Sequence, residues 1–257
     1  MGLDIYAGTL TRYYSRSWKT TEEEYVSGKE DLYSHLRDYA DEDDEPQLTP
    51  EQAEELISTW QESLVNVLNE NGIDIKKWNE DAESPYYTDS PDWEAFGALL
   101  LISAGKIYDV PVELQVEKYW QFGEHPLIKH ALNDENLNGT LFSGTIMWLP
   151  DERPMMFQGP LPSGEATLYG TSGGLKTELE RLNEILWEAD EETIISWSTT
   201  EGHPAETELK IGELIFEAGF GENTKYSTES LAKLAFSILW QAAAYSLENG
   251  VPVVMDF

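Results

Sequence analysis

Gly170-Thr171-Ser172-Gly173-Gly174-Leu175-Lys176-Thr177 has the residue types of a phosphate cradle. In a G-x-x-x-x-G-K-[ST] loop the backbone N–H groups face phosphate oxygens and the lysine reaches the outer phosphates. Gly170, Lys176 and Thr177 fit, but Leu175 stands where the second glycine belongs. A side chain there obstructs the turn that lets amides converge on an anion. The closing Val253-Val254-Met255-Asp256 has the form of the apolar run and aspartate that hold the metal in such enzymes. Its run begins just after Pro252, however, and the pattern is common. The segment is therefore expected to be a strand-to-helix turn made by Gly173-Gly174, with amides left at the helix start.

Asp134-Glu135-Asn136-Leu137-Asn138-Gly139 matches the first half of a calcium loop. The bidentate glutamate expected six residues after the glycine is Thr145. Without those two oxygens the segment reads as an Asx-rich turn. The four histidines, His35, His125, His130 and His203, show no zinc spacing, and G-x-S-x-G is absent. There is no Cys, so no thiolate serves as nucleophile or ligand. No cofactor and no metal are assigned.

What remains chemically is carboxylate and aromatic surface. The chain of 257 residues carries 49 acids against 16 bases, a net charge of −33. Such a surface repels nucleic acid and anionic membranes, because few bases are present to replace phosphate counterions. It attracts basic proteins and speeds their encounter at low salt. Residues 41–94 have Lys76 and Lys77 as their only bases, and residues 178–217 have Arg181 and Lys210 as theirs. The excess acid is concentrated in these two stretches.

The elements that position these groups follow from spacing. Thr49, Pro50 and Gln52 spell an N-cap, a first helical residue and a capping box. Ala53, Leu56, Ile57, Trp60, Leu64, Val67 and Leu68 then recur at helical spacing, with Glu51, Glu54, Glu55 and Glu62 off that face, and Asn71-Gly72 ends the helix. A second helix starts at Ser90-Pro91, is apolar nearly all round, and stops at Gly105. Leu175, Leu179, Leu182 and Leu186 mark a third, and residues 228–249 a fourth that ends at Gly250. A short helix is expected over 30–39. Strands are expected over 3–10, 166–169, 193–198 and 209–216. A hairpin is expected between 141–149 and 154–158, and an edge strand over 251–255 because of Pro252. The basic, aromatic segment 11–19 is expected to be an amphipathic hairpin with its rings in the core, against the alternative of a contact surface.

With 40% hydrophobic residues the chain is long enough for a large core. Strict βαβ alternation is absent. The expected class is α+β: one domain over 1–257, a mixed or antiparallel sheet packed against about four main helices, and a weak alternative boundary near 123–125. No signal-peptide pattern or bilayer-length apolar run is visible, so a soluble cytoplasmic protein is expected.

Two functions of different kinds are compatible with this pattern. The first is an acidic interaction protein that binds and blocks a basic protein partner, such as a toxin or a nucleic-acid-binding enzyme. It would act like an immunity protein or a nucleic-acid mimic, through Asp41, Glu42, Asp43, Asp44, Glu45, Glu51, Glu54, Glu55 and Glu62. The alternative is a carboxylate-dependent, metal-assisted or metal-free hydrolase with an aromatic-lined cleft. Among 49 acids no catalytic pair can be singled out.

Overall fold

The computed structural model describes residues 2–20, 48–137, 139–204, 208–211, 214–217 and 224–257. Six strands form one mixed sheet: β1 (Asp4–Ala7), β2 (Tyr87–Asp89), β4 (Met147–Leu149), β5 (Met156–Pro160), β6 (Ala166–Thr171) and β10 (Val253–Asp256). Their spatial order is β2-β1-β10-β4-β6-β5. All neighbours are antiparallel except β4 and β6. Two small ladders pair β3 (Gln115–Glu117) with β9 (Lys225–Ser227), and β7 (Glu208–Ile211) with β8 (Leu214–Glu217).

Period-two alternation sends neighbouring side chains to opposite faces of the sheet. In register, Ile5 faces Met255 and Val253 faces Trp148, and these point to one core; Tyr6, Val254, Met147 and Tyr169 point to the other. The first core is covered by α3 (Asp92–Ile107), α4 (Pro126–Leu132), α5 (Ser172–Leu186), α6 (Glu191–Thr200) and α7 (Thr228–Asn249). The second is covered by α1 (Leu10–Tyr14) and α2 (Pro50–Glu70). The fold is therefore α+β, with helices on both faces of a mixed sheet. The four longest of seven described helices, α2, α3, α5 and α7, are the four expected from spacing.

Helix α2 follows its sequence signals closely. Thr49 accepts from the Gln52 amide at 3.3 Å and its own amide donates to Gln52 Oε1 at 2.9 Å, closing the capping box. Ala53, Ile57, Trp60, Leu64 and Leu68 are buried, whereas Val67, placed on the inner face by spacing, is exposed. Thr49→Ala removes one arm of the box and is expected to lower stability by about 1 kcal/mol, read from the urea midpoint. Thr49→Asn should restore most of it.

Several expectations change. Residues 193–198 are helical, inside α6, not a strand. Asp190 caps that helix through the Thr193 amide, and burial of Ile194 and Trp197 against α7 outweighs the β-branched composition. The 141–149 and 154–158 hairpin does not form. Residues 141–144 are a turn, and β6 lies between β4 and β5. Helix α3 runs past Gly105 to Ile107, because this glycine packs against Val112 instead of capping. The C-terminal strand is central, not an edge, since Pro252 precedes β10 and lends only its carbonyl, to Gly8 N–H. Strand 209–216 is two strands, β7 and β8. The expected helix over 30–39 lies outside the described residues. Gly250 ends α7 as expected, at φ 62° in the left-handed region.

Candidate functional site

The Gly170–Thr177 segment is where strand β6 becomes helix α5, as expected, but the turn lies one residue earlier. Gly173 and Gly174 are already helical, with Thr171 as the N-cap. The amides expected to be left over have protein partners. Gly173 N–H donates to the Asp151 carbonyl at 2.9 Å and Gly174 N–H to Thr171 Oγ1 at 3.2 Å. The Glu152 backbone lies directly on Gly173, where an anion would sit. Lys176 turns away, with its Nζ 3.3 Å from the centroid of a Trp240 ring and 4.0 Å from Glu191. Burial lowers the pKa of this lysine. The segment is a packed helix start and offers no phosphate cradle.

The calcium-like segment is also structural. Asp134 Oδ1 accepts from the Asn136 amide at 2.9 Å, closing an Asx turn, and Oδ2 accepts from the Tyr108 hydroxyl at 2.7 Å. The turn beyond it is held by Glu178 of α5, which accepts from the Thr140 and Leu141 amides at 2.7 and 3.1 Å. Burial raises the Glu178 pKa and these amides oppose the rise. Among the described residues no group of three or more His, Asp or Glu is placed to hold a metal. His125 caps α4 through the Leu127 amide, His130 packs on Tyr108, and His203 is exposed. His35 lies outside the described residues.

Segment 11–19 is a helical turn, not a hairpin. Its rings do enter the core: Tyr13 and Trp18 stack at 5.8 Å, and both lie against Tyr6. Arg12 is occupied internally, by the carbonyls of Ala82, Ser84 and Ser17.

Of the residues expected to meet a partner, Glu51, Glu54, Glu55 and Glu62 are all exposed on α2. The buried stripe of the same helix grips the sheet, so their direction is fixed by packing. Glu51, Glu55 and Glu62 fall within about 40° of one another around the axis and extend about 17 Å along it. Among the described residues, Glu62 forms an ion pair with Lys77 at 3.7 Å, both well exposed. Asp41, Glu42, Asp43, Asp44 and Glu45 lie outside the described residues.

The structure also assembles a cleft that spacing alone did not locate. It has a volume of about 860 Å³ and is bounded by the start of α3, the 118–123 segment, β9 and the start of α7. Trp93 stacks on Phe122 at 5.9 Å, with interplanar angle 17°, and Trp120 lies 6.3 Å from the same ring. Asp4, Asp92 and Glu94 line it, with Lys118 the one base among the described lining residues. Glu94 Oε1 accepts from the Tyr119 amide at 3.0 Å, and its carbonyl from Trp120 Nε1 at 3.4 Å, so α3 holds the 118–123 segment in place. Ser90 Oγ donates to Asp4. Asp92 and Tyr119 sit at φ 59° and 64°, left-handed conformations that non-glycine residues adopt at a cost of about 1–3 kcal/mol. Both strained residues are in the cleft wall. Asp92-Trp93-Glu94 and Lys118-Tyr119-Trp120 are short aromatic and charged runs in the sequence, but nothing local marks them as neighbours.

No helix among the described residues is long and apolar enough to cross a membrane. Comparison of the chain with models of known protein families, with curated proteins and with solved structures finds no match.

Proposed function

We propose that this protein binds a basic protein partner and blocks the partner's phosphate-binding surface, with the outer face of α2 as the main contact. The supporting observation is the outward display of Glu51, Glu54, Glu55 and Glu62 on a helix whose inner face is locked to the sheet. Carboxylates on a rigid rod offer a cationic groove a row of negative charge whose backbone needs no ordering at binding. The net charge of −33 adds long-range attraction for the same partner. In the sequence, the acidic run Asp41–Glu45 is separated from α2 by Pro46-Gln47-Leu48-Thr49 and would add to this contact.

The test is affinity capture from the native host at low salt, eluting with a salt gradient. A basic protein retained stoichiometrically and released by salt is expected. With that partner, the fourfold variant E51Q/E54Q/E55Q/E62Q should slow association about tenfold and change dissociation far less. These side chains are exposed, so the variant should fold normally. Retention of no basic protein, or an unchanged association rate, refutes the reading.

The aromatic cleft is the observation that favours a second reading, a carboxylate-dependent hydrolase. It ranks second because Asp4 and Glu94 already serve as acceptors that hold Ser90 and the 118–123 segment.

A further inference from the structure

We propose that the Asn71-Gly72 peptide at the end of α2 is a site of spontaneous covalent modification, at which the asparagine amide becomes a carboxylate through a cyclic imide. The proposal concerns the end of the helix, and none of the glutamates of the partner reading takes part in it.

The step needs only water. The Gly72 backbone nitrogen, once deprotonated, attacks Asn71 Cγ. A new N–Cγ bond forms, the Cγ–Nδ2 bond breaks, and the side-chain nitrogen takes up a proton and leaves as ammonia. Water then opens the imide at either carbonyl. The products are aspartate and its isomer with the backbone routed through Cγ. Glycine favours the attack, because it has no Cβ to crowd its nitrogen.

Asn-Gly pairs occur in the sequence at 71–72, 138–139 and 249–250. Asn138 lies outside the described residues. The other two pairs both follow a glutamate, Glu70 and Glu248, so their intrinsic chemistry is closely matched. The structure separates them. Asn71 is the C-cap of α2, and both it and Gly72 are exposed. Two bonds must open for the attack, and both run to the last turn of the same helix. Gly72 N–H donates to the Asn69 carbonyl at 3.0 Å, and Asn71 Nδ2 to the Val67 carbonyl at 2.8 Å. Fraying of one helical turn releases both.

Asn249-Gly250 makes the same kinds of bond, from Gly250 N–H to the Ser246 carbonyl and from Asn249 Nδ2 to the Tyr245 carbonyl at 2.9 Å. There, however, the chain is also tied to distant segments. The Gly250 carbonyl accepts from the Asn79 amide at 3.0 Å. Ser246 Oγ donates to the Val251 carbonyl at 2.6 Å and meets Ser172 Oγ of α5 at 2.6 Å. Val251 is fully buried and leads into β10 at the middle of the sheet. Opening this site disturbs the core, whereas opening Asn71-Gly72 does not.

The product changes α2. A carboxylate has no proton for the Val67 carbonyl, and it adds negative charge at the negative end of the helix dipole. The last turn of the helix is thereby loosened.

The experiment incubates the full chain at mildly alkaline pH, with a parallel sample in concentrated guanidinium chloride, and follows both sites by peptide mapping and mass spectrometry. In the folded protein Asn71 should convert at least ~10-fold faster than Asn249, and in denaturant the two rates should come within about twofold. N71Q should lose the fast product, and N71D, which carries the aspartate product, should have a lower urea midpoint than the parent. A folded-state rate ratio no larger than the ratio in denaturant overturns the inference. So does an Asn71 that stays intact in the folded protein while the unfolded chain converts it, or a fast product that persists in N71Q.

Discussion

Replacing Gly173 with alanine is expected to destabilise the protein by about 3 kcal/mol or more, read as a fall in the urea midpoint. A Cβ at Gly173 would lie 2.0 Å from the Glu152 carbonyl oxygen and 2.3 Å from its carbon. Both are backbone atoms, so no side chain can rotate aside. The 151–153 segment is also pinned, because Asp151 O accepts the Gly173 amide and the Asp151 carboxylate holds Arg153. Gly174→Ala is the matched control. Its Cβ would meet Thr171 Oγ1 at 3.1 Å and no other atom closer than 3.5 Å. It also gains helix propensity, so a change within about 1 kcal/mol is expected. Similar stabilities for the two variants would show that the helix start is not packed as described.

The second large effect concerns Glu80 and appears as pH dependence. Glu80 is only partly exposed, and it ties α1 to the chain that follows α2. Its Oε2 accepts from the Thr11 amide at 2.9 Å and its Oε1 from Trp78 Nε1 at 2.7 Å. Burial pushes its pKa up to about 7, against the opposing effect of these donors. The unfolded chain releases this proton near the ordinary carboxyl value of 4.5. Between those two values the folded protein binds more protons than the unfolded one. Stability from this group is therefore highest at the acid end and falls as pH rises toward 7, by roughly 3 kcal/mol in total.

Glu80→Gln should flatten that fall by about one proton's worth, up to ~1.4 kcal/mol per pH unit. It should also be less stable than the parent at pH 5, by about 2 kcal/mol. A protonated carboxyl keeps a lone pair for the Thr11 amide and can donate to the Thr11 hydroxyl, 3.2 Å away. The amide nitrogen of glutamine has no lone pair for that N–H. The gap should narrow or reverse by pH 8. Urea denaturation of both proteins from pH 5 to 8 measures it, and parallel curves would exclude Glu80 as the titrating group.

Much of the fold was legible wherever a local signal and a burial pattern agreed. Thr49, Pro50 and Gln52 sat directly before a 3.6-residue apolar stripe, so α2 could be placed to within a residue. Gly250 fell where α7 needed a left-handed residue. Helix α6 was missed because Thr193-Ile194-Ile195-Ser196-Trp197 is β-branched and aromatic. The better signals were Asp190 as cap and Glu191-Glu192 in the first turn. The β4-β6-β5 order was illegible because a strand inserting beside an earlier parallel neighbour leaves no local trace. The outward direction of Glu51, Glu54, Glu55 and Glu62 followed from α2 itself. The cleft did not, since its walls come from residues 2–4, 90–94, 118–123 and 226–234. Periodicity carries no information about which distant segments meet.

Strand β10 lies between β1 and β4 at the middle of the sheet, and its partner β1 begins at Asp4. During synthesis a ribosome must deliver the residues up to 256 before β1 can gain this neighbour. Until then Ile5 and Tyr6 wait with one backbone edge open, exposed to self-association and to chaperones that recognise extended apolar segments. Closing the middle of the sheet is thus a late step, because it joins two strands separated by nearly 250 residues of sequence.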